Sequence, residues 1–93
     1  MNYLYSIIIP HKNSPELLSR CLDSIPNRDD LQVVIVDDNS DENIVDFSIF
    51  PGLSRKNTNV IFNKESRGAG YARNLGLAES NSKWLLFADA DDY

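Results

Sequence analysis

Four short apolar runs, each followed by polar residues, constrain the fold of this 93-residue chain more than any other feature. These runs are Tyr5–Ile9, Leu31–Val36, Val60–Phe62 and Trp84–Ala88. Short runs rich in β-branched or aromatic residues are typical of strands that are buried on both faces, as in a parallel sheet. The sequence therefore predicts four strands in one parallel sheet.

Helical segments separate the predicted strands. Ser14–Glu16 has the features of a helix start, with serine as the N-cap, proline at the first helical position and an acid in the first turn. Apolar residues follow at helical spacing up to Ile25. A second helix is predicted over Gly68–Ser80, where Gly76 indicates close packing against a neighbouring element. This alternation predicts an α/β domain, a Rossmann-like three-layer sandwich whose parallel sheet has strand order 3-2-1-4 with flanking helices.

The polar residues that follow three of these strands are expected to meet at one edge of the sheet. Pro10–Asn13 follows the first strand, Asp37–Ser40 the second and Asp89–Asp92 the fourth. With strand order 3-2-1-4, the order reverses between strands one and four, and ligands bind beside the carboxyl ends at such a point. The sequence therefore predicts a binding site at this edge.

Asp89, Asp91 and Asp92 form an acidic cluster directly after the last apolar run. Closely spaced carboxylates repel one another unless a cation joins them, and oxygen ligands suit a hard divalent ion such as Mg²⁺ or Mn²⁺. The alternative is an acidic turn that closes a strand, because aspartate is a common turn residue. The cluster by itself is compatible with both interpretations.

Composition and charge narrow the classes of protein to consider. The chain is 42% hydrophobic and 25% charged, which is typical of a globular domain. Its formal net charge of −5 argues against a nucleic-acid partner. No apolar run approaches the ~18 residues of a membrane span, and no basic segment of a signal peptide is evident, so a cytoplasmic location is expected. The single cysteine, Cys21, is expected on the buried face of the first helix, as part of the hydrophobic core.

Four motifs follow one another in a specific order and spacing. They are Ser-Ile-Ile-Ile-Pro-His-Lys-Asn from Ser6, Val-Val-Ile-Val-Asp-Asp-Asn-Ser from Val33, Gly-Ala-Gly-Tyr-Ala-Arg-Asn-Leu-Gly from Gly68 and Leu-Leu-Phe-Ala-Asp-Ala-Asp-Asp from Leu85. Together they resemble the nucleotide-binding half of family 2 glycosyltransferases. The resemblance implies a GT-A fold and a nucleotide-diphospho-sugar donor, most often a UDP-sugar. It also implies a parent enzyme that transfers the sugar to a saccharide or lipid-linked acceptor in polysaccharide synthesis.

The resemblance implies roles for the residues after the first two strands. Pro10 would line the nucleotide cleft through its backbone, with His11 and Asn13 in the loop beside it. Asp38 would accept a hydrogen bond from the nucleobase, while Asp37 would brace the loop; a solvated acid at the strand end is the alternative for Asp38. His11 is the only histidine, and we interpret it as a loop residue rather than as a metal ligand.

The resemblance also implies roles for the two later motifs. Gly70 would allow the backbone to approach the base and diphosphate closely. Arg73 would pair either with phosphate or with the strand-end aspartates. Asp89 and Asp91 match the Asp-x-Asp motif, with Asp89 facing the ribose or sugar and both residues at an Mn²⁺ or Mg²⁺ site that bridges the diphosphate. The additional Asp92 leaves the register of this motif open by one residue.

The sequence departs from the family because it stops directly after the Asp-x-Asp motif. Family members continue with an acceptor-binding half, which in inverting members carries the general base. We therefore interpret residues 1–93 as a truncated nucleotide-sugar-binding half that is inactive alone, with no catalytic residue to assign. The alternative is a noncatalytic nucleotide-sugar-binding module or an inert fragment.

Three other enzyme classes fit the sequence less well. A dinucleotide-binding oxidoreductase is disfavoured because Gly68–Arg73 lacks the third glycine of Gly-x-Gly-x-x-Gly and follows the third strand. A phosphoryl-transfer domain would need a mapped phosphoacceptor together with a partner lysine after a later strand, and a nucleotidyltransferase would need a glycine-rich, basic loop after the first strand. We find neither arrangement in the sequence. A separate prediction concerns the fourth strand. With strand order 3-2-1-4, Trp84–Phe87 would lie at the sheet edge, and its unpaired backbone groups predict self-association through this strand.

Overall fold

The computed structural model describes residues 3–64, 74–78, 80 and 82–88. Its elements are β1 (Tyr3–His11), α1 (Pro15–Ser24), β2 (Leu31–Asp38), a short 3-10 helix η1 (Phe47–Ile49), β3 (Thr58–Asn63) and β4 (Ser82–Phe87). Residues 74–78 are also helical. The four strands pair in parallel in the order β3-β2-β1-β4, which confirms the predicted sheet. No helix in the described part is long and apolar enough to cross a membrane.

Strand β2 is the centre of the buried structure. Every residue from Leu31 to Asp38 is buried, because the strand pairs with β1 on one side and with β3 on the other. The one uncharged polar side chain within it, Gln32, accepts a hydrogen bond from Ser6 Oγ at 2.9 Å, which offsets the cost of burying its amide.

Helical residues cover both faces of the sheet. On one face, three residues of α1 pack against the odd-numbered residues of the central strands, in a cluster of Leu18, Cys21, Leu22, Ile9, Val33, Ile35, Val45 and Phe50. On the other face, Leu75 packs against a cluster of Ile8, Val34 and Val36. A β-carbon at Gly76 would overlap the side chain of Ile8, which confirms the close packing predicted there. Cys21 is fully buried, as expected.

Strand β1 continues through Pro10 and His11, where the sequence predicted that proline would end it. Ala88 N donates to Ile8 O at 3.0 Å, so the backbone polar groups of Ile8 face β4. Pro10, two residues further along the strand, faces the same way. Proline has no N–H to donate, but at Pro10 that position faces β4, beyond the last described β1–β4 pair, Ile8↔Phe87. The hydrogen bonds between β1 and β2 are therefore unaffected.

The prediction that Trp84–Ala88 is a buried strand is wrong in one respect. The run does form a strand, but Trp84, Leu85, Leu86 and Phe87 are between 42% and 56% exposed. Strand β4 lies at the sheet edge and pairs, within the described residues, with β1 alone. Apolar character favours a strand, whereas burial also requires another layer or strand to cover it.

Candidate functional site

The loops after β1 and β2 meet at the carboxyl edge of the sheet. Asn13 N donates to Ser40 Oγ at 2.8 Å, and Asp41 N donates to Asn13 Oδ1 at 2.7 Å. Asn13 and Asn39 adopt left-handed backbone conformations, with φ of 56° and 59°, which asparagine tolerates better than most residues. The predicted convergence is therefore observed for two of the three polar segments. The third, Asp89–Asp92, lies outside the described residues.

His11 is the last residue of β1 and is buried, so its interpretation as a loop residue is wrong. It lies opposite Asp37 in the register of β1 and β2, and its Nδ1 is 2.8 Å from Asp37 Oδ1. Its Nε2 accepts a hydrogen bond from Ser14 N at 2.9 Å. Because a backbone N–H can only donate, Nε2 must carry the lone pair and Nδ1 the proton. His11 is therefore a neutral imidazole that donates to Asp37.

Asp37 is fully buried and accepts hydrogen bonds from His11 and Ser40. Besides His11, Ser40 Oγ donates to its Oδ1 and Ser40 N donates to its Oδ2 at 3.1 Å. Burial raises the pKa of this carboxyl group, but the hydrogen bonds from His11 and Ser40 together outweigh burial and lower it below the ordinary value. Asp37 is therefore ionised near neutral pH, and it braces the loop that begins at Asn39.

Asp38 points to the opposite face of the sheet from Asp37, because successive strand residues alternate. It is the last residue of β2, and it is 7% exposed. Asn63, opposite it in the register of β2 and β3, donates from Nδ2 to Asp38 Oδ1 at 3.3 Å. The structure thus places Asp38 at the predicted edge, where it accepts a hydrogen bond from Asn63, a residue that was not predicted from the sequence.

A cleft of about 410 Å³ opens beside the loop after β2. It is lined by Asn39, Ser40, Asp41, Glu42, Phe47 and Lys64. Lys64 Nζ lies 4.6 Å from the centre of the Phe47 ring, at cation–π distance. Phe47 in turn contacts Phe50 and Phe62, with ring centroids 6.1 and 5.5 Å away. Lys64 is not among the residues predicted from the sequence, where its signal is that it directly follows the third strand, as Asn39 follows the second.

Several predicted site residues belong to segments outside the described part of the chain. Gly70, Arg73, Asp89 and Asp91 lie outside the described residues, as does Asp92. Within residues 3–64, 74–78, 80 and 82–88, no three His, Cys, Asp or Glu side chains are grouped closely enough to hold a metal ion. The metal site therefore stays a prediction from the sequence.

The family model for glycosyl transferase family 2 matches residues 6–93. Among curated relatives, the chain is 36% identical to a poly(ribitol-phosphate) beta-glucosyltransferase from Bacillus spizizenii, over 95% of this chain and 15% of that protein. It is 37% identical to a PGL/p-HBAD biosynthesis glycosyltransferase from Mycobacterium bovis, over 96% of this chain and 36% of that protein. The chain belongs to glycosyltransferase family 2, and it spans only a minor part of these relatives' length.

A solved structure supports the same assignment. The crystal structure of S. aureus TarS 1-349 in complex with UDP-GlcNAc matches with a TM-score of 0.76 and 28% sequence identity. The match covers 97% of this chain and 27% of the TarS chain. The parallel sheet with order β3-β2-β1-β4 is therefore the GT-A arrangement that the sequence predicted.

Proposed function

We propose that this chain is the nucleotide-sugar-binding half of a glycosyltransferase and that it binds a UDP-sugar at the carboxyl edge of its sheet. The observation that carries this proposal is the hydrogen-bonded junction of Asn13 with Ser40 and Asp41, which follow Asp38 closely in the chain. The junction joins the loops of two adjacent strands at the edge where open α/β sheets bind ligands. The fold similarity to TarS, which was crystallised with UDP-GlcNAc, supports the choice of ligand.

In this proposal, the nucleotide contacts come from β1 and β2. Pro10 and the loop at Asn13 line the nucleotide site, and Asp38 accepts a hydrogen bond from the nucleobase. The carboxylate of Asp38 suits this role because an ionised acceptor forms stronger hydrogen bonds than a neutral one. Asn63 limits how Asp38 can rotate, since its amide already donates to Oδ1. His11 does not contact the ligand in this proposal, because Asp37 and Ser14 occupy both of its ring nitrogens.

The diphosphate contacts would come from the later motifs. Gly70 and Arg73 would lie against the diphosphate, and Asp89 and Asp91 would hold Mn²⁺ or Mg²⁺. Carboxylate oxygens are ligands that these hard ions accept, so the residue types fit the group. When bound, such an ion stabilises the negative charge that develops on the leaving diphosphate.

We further propose that the parent enzyme works in the cytoplasm and transfers the sugar to a saccharide or lipid-linked acceptor in polysaccharide synthesis. Relatives named a poly(ribitol-phosphate) beta-glucosyltransferase and a teichoic acid poly(glycerol phosphate) polymerase support a role in the synthesis of a polymer. Acceptor binding and the catalytic base are assigned to the part of the relatives that the chain does not match. A noncatalytic nucleotide-sugar-binding module is the second candidate, because the matched region contains the donor motifs alone.

Calorimetry with UDP, GDP and UMP, each in the presence of Mn²⁺, tests the proposal. UDP should bind more tightly than GDP, because the base site is proposed for uracil, and more tightly than UMP, because an ion held by Asp89 and Asp91 would favour the additional negative charge of the second phosphate. Absence of UDP binding to the folded chain would refute the proposed function. Sugar transfer by a longer protein that contains this chain would then separate the transferase from the noncatalytic module.

A further inference from the structure

The hydrogen bonds around His11 form a closed circuit that joins β1, β2 and both of their following loops. His11 Nδ1 donates to Asp37, Ser40 Oγ also donates to Asp37, and Asn13 N donates to Ser40 Oγ. The chain then passes from Asn13 to Ser14, whose N–H returns to His11 Nε2. Asp41 N is attached to the circuit through Asn13 Oδ1.

The direction of every hydrogen bond in this circuit is determined. The backbone N–H groups of Asn13 and Ser14 can only donate, and the carboxylate of Asp37 can only accept. The Ser40 hydroxyl therefore donates to Asp37 while it accepts from Asn13. His11 must accept at Nε2 and donate at Nδ1, so a second proton on the ring would place two N–H groups against each other at Ser14. The circuit is complete only with neutral His11.

Water cannot easily replace the imidazole. The His11 side chain is fully buried, and its ring contacts Phe50 edge-on with centroids 5.4 Å apart. A side chain that lacks either nitrogen would leave a buried donor or acceptor without its partner, which is costly. The circuit therefore depends on one residue that the proposed ligand does not touch.

We propose that His11 is a positioning residue for the nucleotide-sugar site. As the Nδ1–H tautomer, it holds the loop after β1 and the loop after β2 in a single arrangement, and the ligand binds to that arrangement. The role in ligand binding rests on the proposed function. The coupling of the two loops rests on the hydrogen-bond circuit alone and can be tested without ligand.

The first test is nuclear magnetic resonance of the imidazole. Because the chain contains one histidine, its ring gives a single set of nitrogen signals. Near neutral pH we expect a protonated Nδ1 and an unprotonated Nε2. An Nε2–H tautomer, or a doubly protonated ring, would overturn the proposal because neither could accept from Ser14 N.

The second test measures amide hydrogen exchange in His11→Phe, which keeps a planar ring but removes both nitrogens. Exchange should accelerate by roughly tenfold or more, the effect of losing about one hydrogen bond, at each backbone N–H of the circuit: Asn13, Ser14, Ser40 and Asp41. His11→Asn, which keeps a donor for Asp37, should restore protection at Ser40 and Asp41 but not at Ser14. Unchanged exchange at Asp41 in His11→Phe would overturn the coupling.

The matched control is Cys21→Ala, which removes a buried sulfur atom from the core cluster and replaces no residue of the circuit. Under conditions of equal stability, this variant should keep the protection of the four amides. Equal loss of protection in Cys21→Ala would show that general destabilisation is the cause and would overturn the proposal.

UDP affinity should fall roughly tenfold in His11→Phe and should be unchanged in Cys21→Ala. If UDP also fails to bind the unaltered chain, the proposed function fails, while the exchange data still decide the coupling.

Discussion

Asp38 and Asn63 lie opposite each other at the carboxyl ends of β2 and β3, and Asn63 Nδ2 donates to Asp38 Oδ1 at 3.3 Å. Both residues are buried. Their neighbour Asp37 makes its hydrogen bonds to His11 and Ser40 on the other face of the sheet. Two adjacent aspartates therefore have different environments, with the hydrogen-bond partners of Asp37 on one face of the sheet and Asn63 beside Asp38 on the other.

The first prediction concerns Asp38. Asp38→Ala should weaken UDP binding by about 1–3 kcal/mol, the cost of leaving a buried donor of the base unpaired. Calorimetry measures this loss directly. Asp23→Ala, which removes the same charge from an exposed position on α1, is the control and should leave affinity unchanged. Equal UDP affinity in Asp38→Ala and the unaltered chain would exclude Asp38 from base recognition.

The second prediction concerns the stability contributed by Asp37. Asp37→Asn should lower the free energy of unfolding at pH 7 by about 1–3 kcal/mol. The asparagine would have an NH₂ group in place of one carboxylate oxygen, so this donor would face a donor of Ser40 or His11. Since the folded-state pKa of Asp37 lies below its unfolded value, the carboxylate stabilises the fold above the unfolded pKa, and this contribution is lost as the pH falls through the folded-state pKa.

Urea unfolding from pH 7 down to the acid range measures this effect. The stability difference between the two proteins should be constant near neutral pH and should shrink below about pH 4, where an unfolded aspartate takes up its proton. The exposed substitution Asp23→Asn serves as the charge control. A difference that stays constant down to the lowest pH would contradict the assignment of Asp37 as an ionised, hydrogen-bonded carboxylate.

The third prediction concerns the metal. Mn²⁺ or Mg²⁺ should strengthen UDP binding, because a divalent ion between carboxylates and a diphosphate reduces the repulsion among like charges. Asp91→Asn should abolish the gain from metal without changing the circular dichroism spectrum. Asp92→Asn tests the register of the motif and should keep the gain. Metal and chelator giving the same UDP affinity in the unaltered chain would exclude a metal-dependent site.

The fourth prediction concerns β4. Because Trp84–Phe87 is an exposed apolar strand at the sheet edge, the 93-residue chain should self-associate in a concentration-dependent manner. Leu86→Lys should shift sedimentation towards the monomer, since a charge at a sheet edge opposes further strand pairing. Leu53→Lys, at another exposed leucine remote from this strand in sequence, is the control. A monomer at high concentration would contradict this prediction.

Much of the fold could be predicted because it depends on local chemistry. The β-branched run of β2 and the proline at the first position of α1 specify their elements within their own few residues. Gly76 indicated a close approach because any side chain there would collide with a neighbour, here Ile8. The Ser14 hydroxyl shows the limit of such reasoning, because it donates to Lys12 O at 3.3 Å and does not cap the helix that Ser14 precedes.

The sequence alone thus determined the strands, the parallel order and the edge where polar residues gather, since apolar patterning and the handedness of crossovers are local or topological rules. Only the tertiary structure decided that His11 pairs with Asp37, because their contact depends on the register between β1 and β2, which joins residues 26 positions apart. It also decided that Asp37 braces the loop after β2, that Asp38 lies on the opposite face of the sheet, and that β4 is exposed. Burial and hydrogen-bond partners depend on which other strand or layer lies opposite a residue, and no local pattern records that.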